Sequence, residues 1–253
     1  MPFIDTYTGA RLDYEDAGVG VPLIALHGML GTGRADLANV IDWLSDEQRP
    51  GGSYHVLAPS LRGYGESLPK PRDFPPDFYR RDALDVLAFM DALGIEEAHL
   101  FGYSDGGETA LMAAGLQPKR FKSVMTVGAV GYFGPAMRPI AQAMYPATWM
   151  TEEEKARSHI TDPDAFALGW INAVKAMIDS GGDVSLSLAP NITCPVLLML
   201  GERDTLNPRE YGQNFIDRTP NGRLVMFQTG HPIHKEDWEG FKRVVGEFLR
   251  GVK

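Results

Sequence analysis

Six short apolar runs recur along the chain: Pro22–Leu26, His55–Ala58, Ala98–Phe101, Val124–Val127, Val196–Leu200 and Leu224–Phe227. Most of them do not alternate between apolar and polar residues. A strand with one wet face alternates, and a strand covered on both faces does not, so this is the pattern of a parallel sheet buried under helices. The stretches between the runs carry helical spacing. Arg81–Leu93 puts Leu84, Leu87, Met90 and Leu93 on one stripe, and Glu108–Leu116 and Trp238–Leu249 are similar. Strand–helix alternation of this kind predicts an α/β fold with a mostly parallel, doubly wound sheet. Before the first run, apolar and polar residues interleave around Thr8-Gly9, which predicts a two-stranded hairpin.

The alternation breaks once. From about Gly131 to Pro190 there is no strand pattern, only two or three helical stretches rich in Met137, Met144, Tyr145, Trp149, Trp170 and Met177. Gly181-Gly182 and Pro190 punctuate its end. We expect 131–190 to be a helical lid inserted into a core made of 1–130 and 191–253.

Composition bounds the function. With 253 residues the chain is long enough for one large α/β domain, and 44% hydrophobic against 23% charged residues is ordinary globular usage. The net charge of −9 argues against a broad basic surface for nucleic acid or an anionic membrane. The single cysteine, Cys194, excludes an intrachain disulfide framework and a cysteine-based zinc site, and reads as a small buried hydrophobe. No secretory leader pattern opens the sequence and no run of 18 apolar residues occurs, so we expect a cytoplasmic protein without a membrane partner.

The chemistry is carried by Gly102-Tyr103-Ser104-Asp105-Gly106-Gly107, placed where a predicted strand becomes a helix. This is G-x-S-x-G in the context it needs: a sharp turn lifts the serine oxygen clear of the sheet, and the glycines let strand and helix close around it. A serine hydroxyl is a poor nucleophile until a base takes its proton. The candidate base is His231 in Gly230-His231-Pro232, directly after the last strand, and the candidate carboxylate is Asp204, directly after the preceding strand. Glu202, Asp237 and His234 compete for these roles, but each is less well placed relative to the strand end or the chain order. A His231/His234 metal pair lies in a loop with Pro232 and lacks a helical ligand frame, so neither metal nor cofactor is expected.

On these residues the sequence resembles serine hydrolases of the α/β-hydrolase superfamily. His27-Gly28-Met29-Leu30-Gly31 is similar to their H-G-x-x-G oxyanion loop, and Arg62-Gly63-Tyr64-Gly65-Glu66-Ser67 to their R-G-x-G-x-S turn. Many members have an Asp two residues before that Arg, where this chain has Ser60. The resemblance implies an oxyanion hole made by the backbone N–H groups of Met29 and Asp105, with His27 available to orient the loop. The stretch Gly94 to Leu111 resembles the biphenyl-hydrolase-like branch, which includes amino-acid-ester hydrolases. That likeness implies that Asp105 reaches a substrate ammonium group. The alternative is an acidic residue that only complements the first helical turn.

The expected activity is hydrolysis of small carboxylic esters through an acyl-enzyme, with Met144, Trp149 and Trp170 of the lid contributing to the pocket. A perhydrolase, a thioesterase or a C–C hydrolase could use the same triad. A ligand receptor on this fold would lack turnover.

Overall fold

The computed structural model describes residues 1–252. Its strands are β1 (Phe3–Asp5), β2 (Arg11–Ala17), β3 (Val21–Leu26), β4 (Tyr54–Pro59), β5 (Ala98–Tyr103), β6 (Phe121–Val127), β7 (Val196–Gly201) and β8 (Gly222–Phe227). They form one sheet in the order β1-β2-β4-β3-β5-β6-β7-β8. β1 and β2 make the expected hairpin, β2 joins β4 antiparallel, and every pairing from β4 onward is parallel.

The six apolar runs are the six parallel strands, and the lack of alternation has the anticipated cause. On β3, Leu23 and Ala25 face one layer while Ile24 and Leu26 face the other, and all four are fully buried. One layer is closed by α1 (Ala38–Ser45) and α9 (Trp238–Gly251), which bury Val40, Ile41, Leu44, Phe241, Val245 and Leu249. The other is closed by α2 (Phe78–Ala92), α3 (Asp105–Leu116) and α7 (Arg209–Ile216). All six residues of β7 are buried. Cutting Leu198 to Ala there would cost about 2–5 kcal/mol through lost burial and the cavity left behind.

Between β6 and β7 lie α4 (Met137–Gln142), α5 (Glu152–Arg157) and α6 (Pro163–Asp179), followed by a 3-10 segment at Leu186–Asn191. Local sequence explains their starts. Thr151 and Glu154 form a reciprocal capping box on α5, and Asp162 caps α6 just ahead of Pro163. The neck of this segment is closed by the bridge between Tyr132 and Asp183 and by Phe133 N–H donating to Gly182 O at 2.8 Å. Its apolar residues, Phe166, Trp170 and Val174 among them, continue the core on the α2/α3 side of the sheet. Between β8 and α9 sits the single turn α8 (Ile233–Glu236).

Candidate active site

Ser104, Asp204 and His231 follow β5, β7 and β8, so the parallel strands deliver all three to one edge of the sheet. This is the carboxyl edge, where open α/β sheets collect their sites. His231 Nε2 is 2.9 Å from Ser104 Oγ, and its Nδ1 is 2.7 Å from Asp204 Oδ2. With Asp204 ionised, Nδ1 carries the proton and donates to it, which leaves Nε2 free to accept from the serine hydroxyl. Burial alone would raise the Asp204 carboxyl. The hydrogen bond from His231 and its charge, with Asn207 Nδ2 and the Leu206 N–H, outweigh burial and hold it below the usual range.

The turn that presents Ser104 is strained. Its φ of 54° and ψ of −122° lie where a side-chain-bearing residue rarely sits. Ser104 N–H donates to Val127 O at 2.8 Å, and Ser104 O accepts from Gly107 and Glu108 N–H, so both neighbouring elements hold the turn. A side chain on Gly106 would run into the carbonyl oxygens of Leu26 and His27, which explains why the second residue of α3 is glycine.

The β3–α1 loop brings Met29 alongside. A Cβ on its neighbour Gly28 would sit 3.1 Å from Ser104 Cβ. Among the described residues, neither Met29 N–H nor Asp105 N–H donates to a protein acceptor. His27 fixes this loop. Its buried ring donates from Nδ1 to Gly28 O at 2.7 Å and accepts the Leu61 N–H at Nε2 at 2.9 Å, and burial lowers its pKa, favouring the neutral form. Ser60 leaves no gap at the position where the resemblance led us to expect Asp. It donates to Asp13 Oδ2 at 2.9 Å and accepts the Gly33 N–H, while Asp13 Oδ1 takes Ser67 Oγ–H and Glu66 N–H. The carboxylate is therefore supplied from β2.

Comparison with known proteins agrees with this architecture. The family model described as alpha/beta hydrolase fold matches residues 21–156, and mouse serine hydrolase BPHL is 31% identical over 249 residues, covering 96% of this chain and 84% of that protein. The chain belongs to the α/β-hydrolase fold family, among its serine hydrolases. The 2-hydroxymuconate semialdehyde hydrolase of Pseudomonas sp. strain CF600 is 35% identical over 272 residues, covering 95% of this chain and 91% of that protein. A solved hydrolase from Pseudomonas aeruginosa PA01 superposes with a TM-score of 0.77 at 24% identity, covering 98% of this chain and 97% of that one.

In this α/β-hydrolase the cavity at Ser104 is small, about 20 Å³, and is walled by Asp105, Glu108, Phe133, Met137, Trp170 and Leu206. A larger hollow of about 330 Å³ between the β4–α2 loop and α6 shares no lining residue with it. Of the lid residues expected in the pocket, only Trp170 is there. Met144 and Trp149 are not: α4 ends at Gln142, and the Trp149 indole N–H turns back to Met144 O at 2.8 Å on an exposed stretch. Phe133 and Met137 take their place, from the start of the insertion.

Asp105 is buried. Tyr79 Oη donates to its Oδ1 at 2.6 Å and Trp170 Nε1 approaches the same atom at 3.3 Å, while Oδ2 has no partner. Burial raises this carboxyl, and the Tyr79 hydrogen bond and Arg72 charge pull it part of the way back.

The other candidates lie elsewhere. His234 is sealed against Tyr103, with Nε2 3.2 Å from Asp36 O, and burial pushes it down to about 4. Glu202 is exposed and Asp237 caps α9. His99 pairs with Ser123 across β5 and β6, whereas His55 and His159 make surface pairs with Asp16 and Glu66. Cys194 is buried, which pushes its thiol up to about 11. No three His, Cys, Asp or Glu side chains among the described residues group as a metal site, and no helix is long and apolar enough to cross a membrane.

Proposed function

We propose that this chain hydrolyses carboxylic esters of small molecules through an acyl-enzyme on Ser104. The observation that carries this reading is the continuous hydrogen-bonded chain from Ser104 Oγ through His231 to Asp204 Oδ2 at 2.9 and 2.7 Å, beginning on a strained strand-to-helix turn. His231 Nε2 takes the hydroxyl proton as Oγ bonds to the ester carbonyl carbon. The carbonyl oxygen becomes an oxyanion that accepts from Met29 and Asp105 N–H, and Asp105 N–H also carries the partial positive charge of the α3 N-terminus. His231 then returns the proton to the departing alkoxide. In the second half, water attacks the acyl carbon, His231 takes its proton, and Ser104 leaves with that proton restored. Asp204 stabilises the imidazolium throughout and stays ionised.

The acyl side of the substrate carries an ammonium group in this reading. Asp105 Oδ2 is buried without a partner, and an unpaired buried carboxylate oxygen is costly. Arg72 is nearby, but its guanidinium already grips Asp82 with bonds of 2.9 and 2.5 Å and donates to Arg62 O. An α-amino ester would bring the missing donor and the opposite charge.

The test is a panel of esters of varied acyl length, with and without an α-amino group, run together with a fluorophosphonate probe. Turnover with Ser104 labelled supports the reading. Absence of turnover across the panel and of labelling would leave the receptor alternative.

A further inference from the structure

Glu108 is a charged residue on the inner face of α3 that the acyl-enzyme reaction does not use. It is 2% exposed and lies one turn beyond Ser104. Its Oε1 accepts Val130 N–H at 2.8 Å and Gly131 N–H at 3.2 Å, and Oε2 accepts Gly131 N–H at 3.0 Å. Both oxygens are thus spent on the strand-to-lid junction, the four residues 128–131 that lead out of β6.

That junction touches the site in two ways. Gly128 has φ +65°, and a Cβ on it would lie 2.5 Å from Cε1 of the His231 ring, so its backbone backs the imidazole directly. Gly131 O accepts the N–H groups of Val184, Ser185 and Leu186 at 3.2, 2.9 and 3.0 Å, which ties the returning end of the insertion to its outgoing end. Phe133, two residues further on, is a wall of the Ser104 cavity. One carboxylate on the nucleophile helix therefore anchors the loop behind the base and the neck of the helices over the nucleophile.

We propose that Glu108 is a positioning residue: its ionised carboxylate seats residues 128–131 behind His231 and holds the neck of the insertion against the helix that carries Ser104. This rests on the reading of Ser104 and His231 given above. Charged acceptors make the stronger hydrogen bonds to backbone N–H groups, and a protonated Oε2 becomes a donor facing the Gly131 N–H. The groups that face Glu108 are Asp105 on its own helix, Tyr79 from α2 and His231 across the cavity. Burial pushes the Glu108 carboxyl up to about 7, with the negative charge of Asp105 adding to the rise and the two N–H groups opposing it. The anchor accordingly weakens as pH falls through neutrality, and the activity falls with it.

The experiment compares wild type with Glu108→Gln, which keeps one acceptor and turns the other into a donor. At pH 8 kcat should fall by about tenfold or more with KM changed less than about threefold, since reacting-group geometry is what is lost. The acid limb of the log rate–pH profile should be steeper in wild type than in the variant, which a purely structural glutamate would not alter. A variant within about twofold of wild type in kcat and with the same acid limb overturns the proposal. If the variant does not fold, wild-type amide exchange decides: protection of Val130 and Gly131 should rise between pH 6 and 8 relative to Gly128, whose N–H bonds Met199 O, and an unchanged ratio overturns it. Fluorophosphonate labelling separates the two levels, because wild type that labels at Ser104 while Glu108→Gln behaves as wild type refutes only the role of Glu108.

Discussion

Tyr79 Oη donates to Asp105 Oδ1 over 2.6 Å and so fixes the carboxylate beside Ser104 with its second oxygen unpartnered. In the proposed reading this unpartnered oxygen receives the ammonium group of the substrate. Asp105→Ala should lower kcat/KM for an α-amino ester by about tenfold or more, about 1.4 kcal/mol, while a neutral ester of similar size changes little. The backbone N–H survives this substitution. Steady-state kinetics on the two esters check it, and equal losses on both would assign Asp105 to loop support alone.

His231 and His234 are three residues apart and should separate cleanly. Ser104→Ala, His231→Ala and Asp204→Ala each remove most of the turnover, leaving a residual from binding and the oxyanion donors. His234 is buried and pushed down to about 4, so it is neutral across any ordinary assay range and has no charge change to contribute. His234→Leu should lower the melting temperature and leave the acid limb of the rate profile in place. If it removes that limb while His231→Ala retains turnover, the base has been misassigned.

The sequence carries Ser104, Asp204 and His231 openly because each stands directly behind a short apolar run, and a parallel sheet turns position after a strand into position in space. Contacts made between distant elements had no such signal. Asp13 substitutes for the missing carboxylate near Arg62 from 47 residues away through Ser60, and nothing in β2 marks it. Tyr79 and Trp170 meet at Asp105 only after α2 and α6 have packed. Richness in Met and Trp located the insertion but could not say which side chains face inward, hence Met144 and Trp149 were expected where Phe133 and Met137 stand. Strand β6 starts at Phe121 rather than Val124, and the sequence pattern missed its first three residues because Lys122 and Ser123 interrupt the apolar run. Helix α7 is mostly polar outside Phe215 and Ile216 and gave no stripe to read. Glu108 did leave a trace: a lone charge among Gly106, Gly107, Thr109, Ala110 and Leu111.

Stability should record the burial of Glu108 independently of catalysis. Its carboxyl sits at about 7 in the folded chain against an ordinary 4.5. A raised acid favours the protonated form in the fold, so its contribution is fully present below 4.5 and is lost as pH rises through 7. Wild type should therefore lose about 2–3 kcal/mol more unfolding free energy than Glu108→Gln between pH 5 and pH 8. Urea melts at the two pH values provide the comparison, and parallel losses in both proteins would contradict the raised carboxyl. The same residue would then favour activity and oppose stability above neutrality.

Trp170 divides the small cavity at Ser104 from the packed interior of α6, and its indole N–H also reaches Asp105. A volume of about 20 Å³ is room for about one water molecule, so the wall at Trp170 limits the acyl group that fits beside Ser104. Trp170→Ala removes the bulkiest side chain of the wall and one of two donors to Asp105 Oδ1. Longer acyl groups should then gain kcat/KM relative to acetyl esters by about tenfold, while Ser104 labelling by a small fluorophosphonate persists. Trp149→Ala, whose indole bonds Met144 O on the exposed side of the insertion, should leave acyl preference where it was. A shift in acyl preference caused by Trp149→Ala and not by Trp170→Ala would mean that the substrate approaches Ser104 from the other side of the insertion.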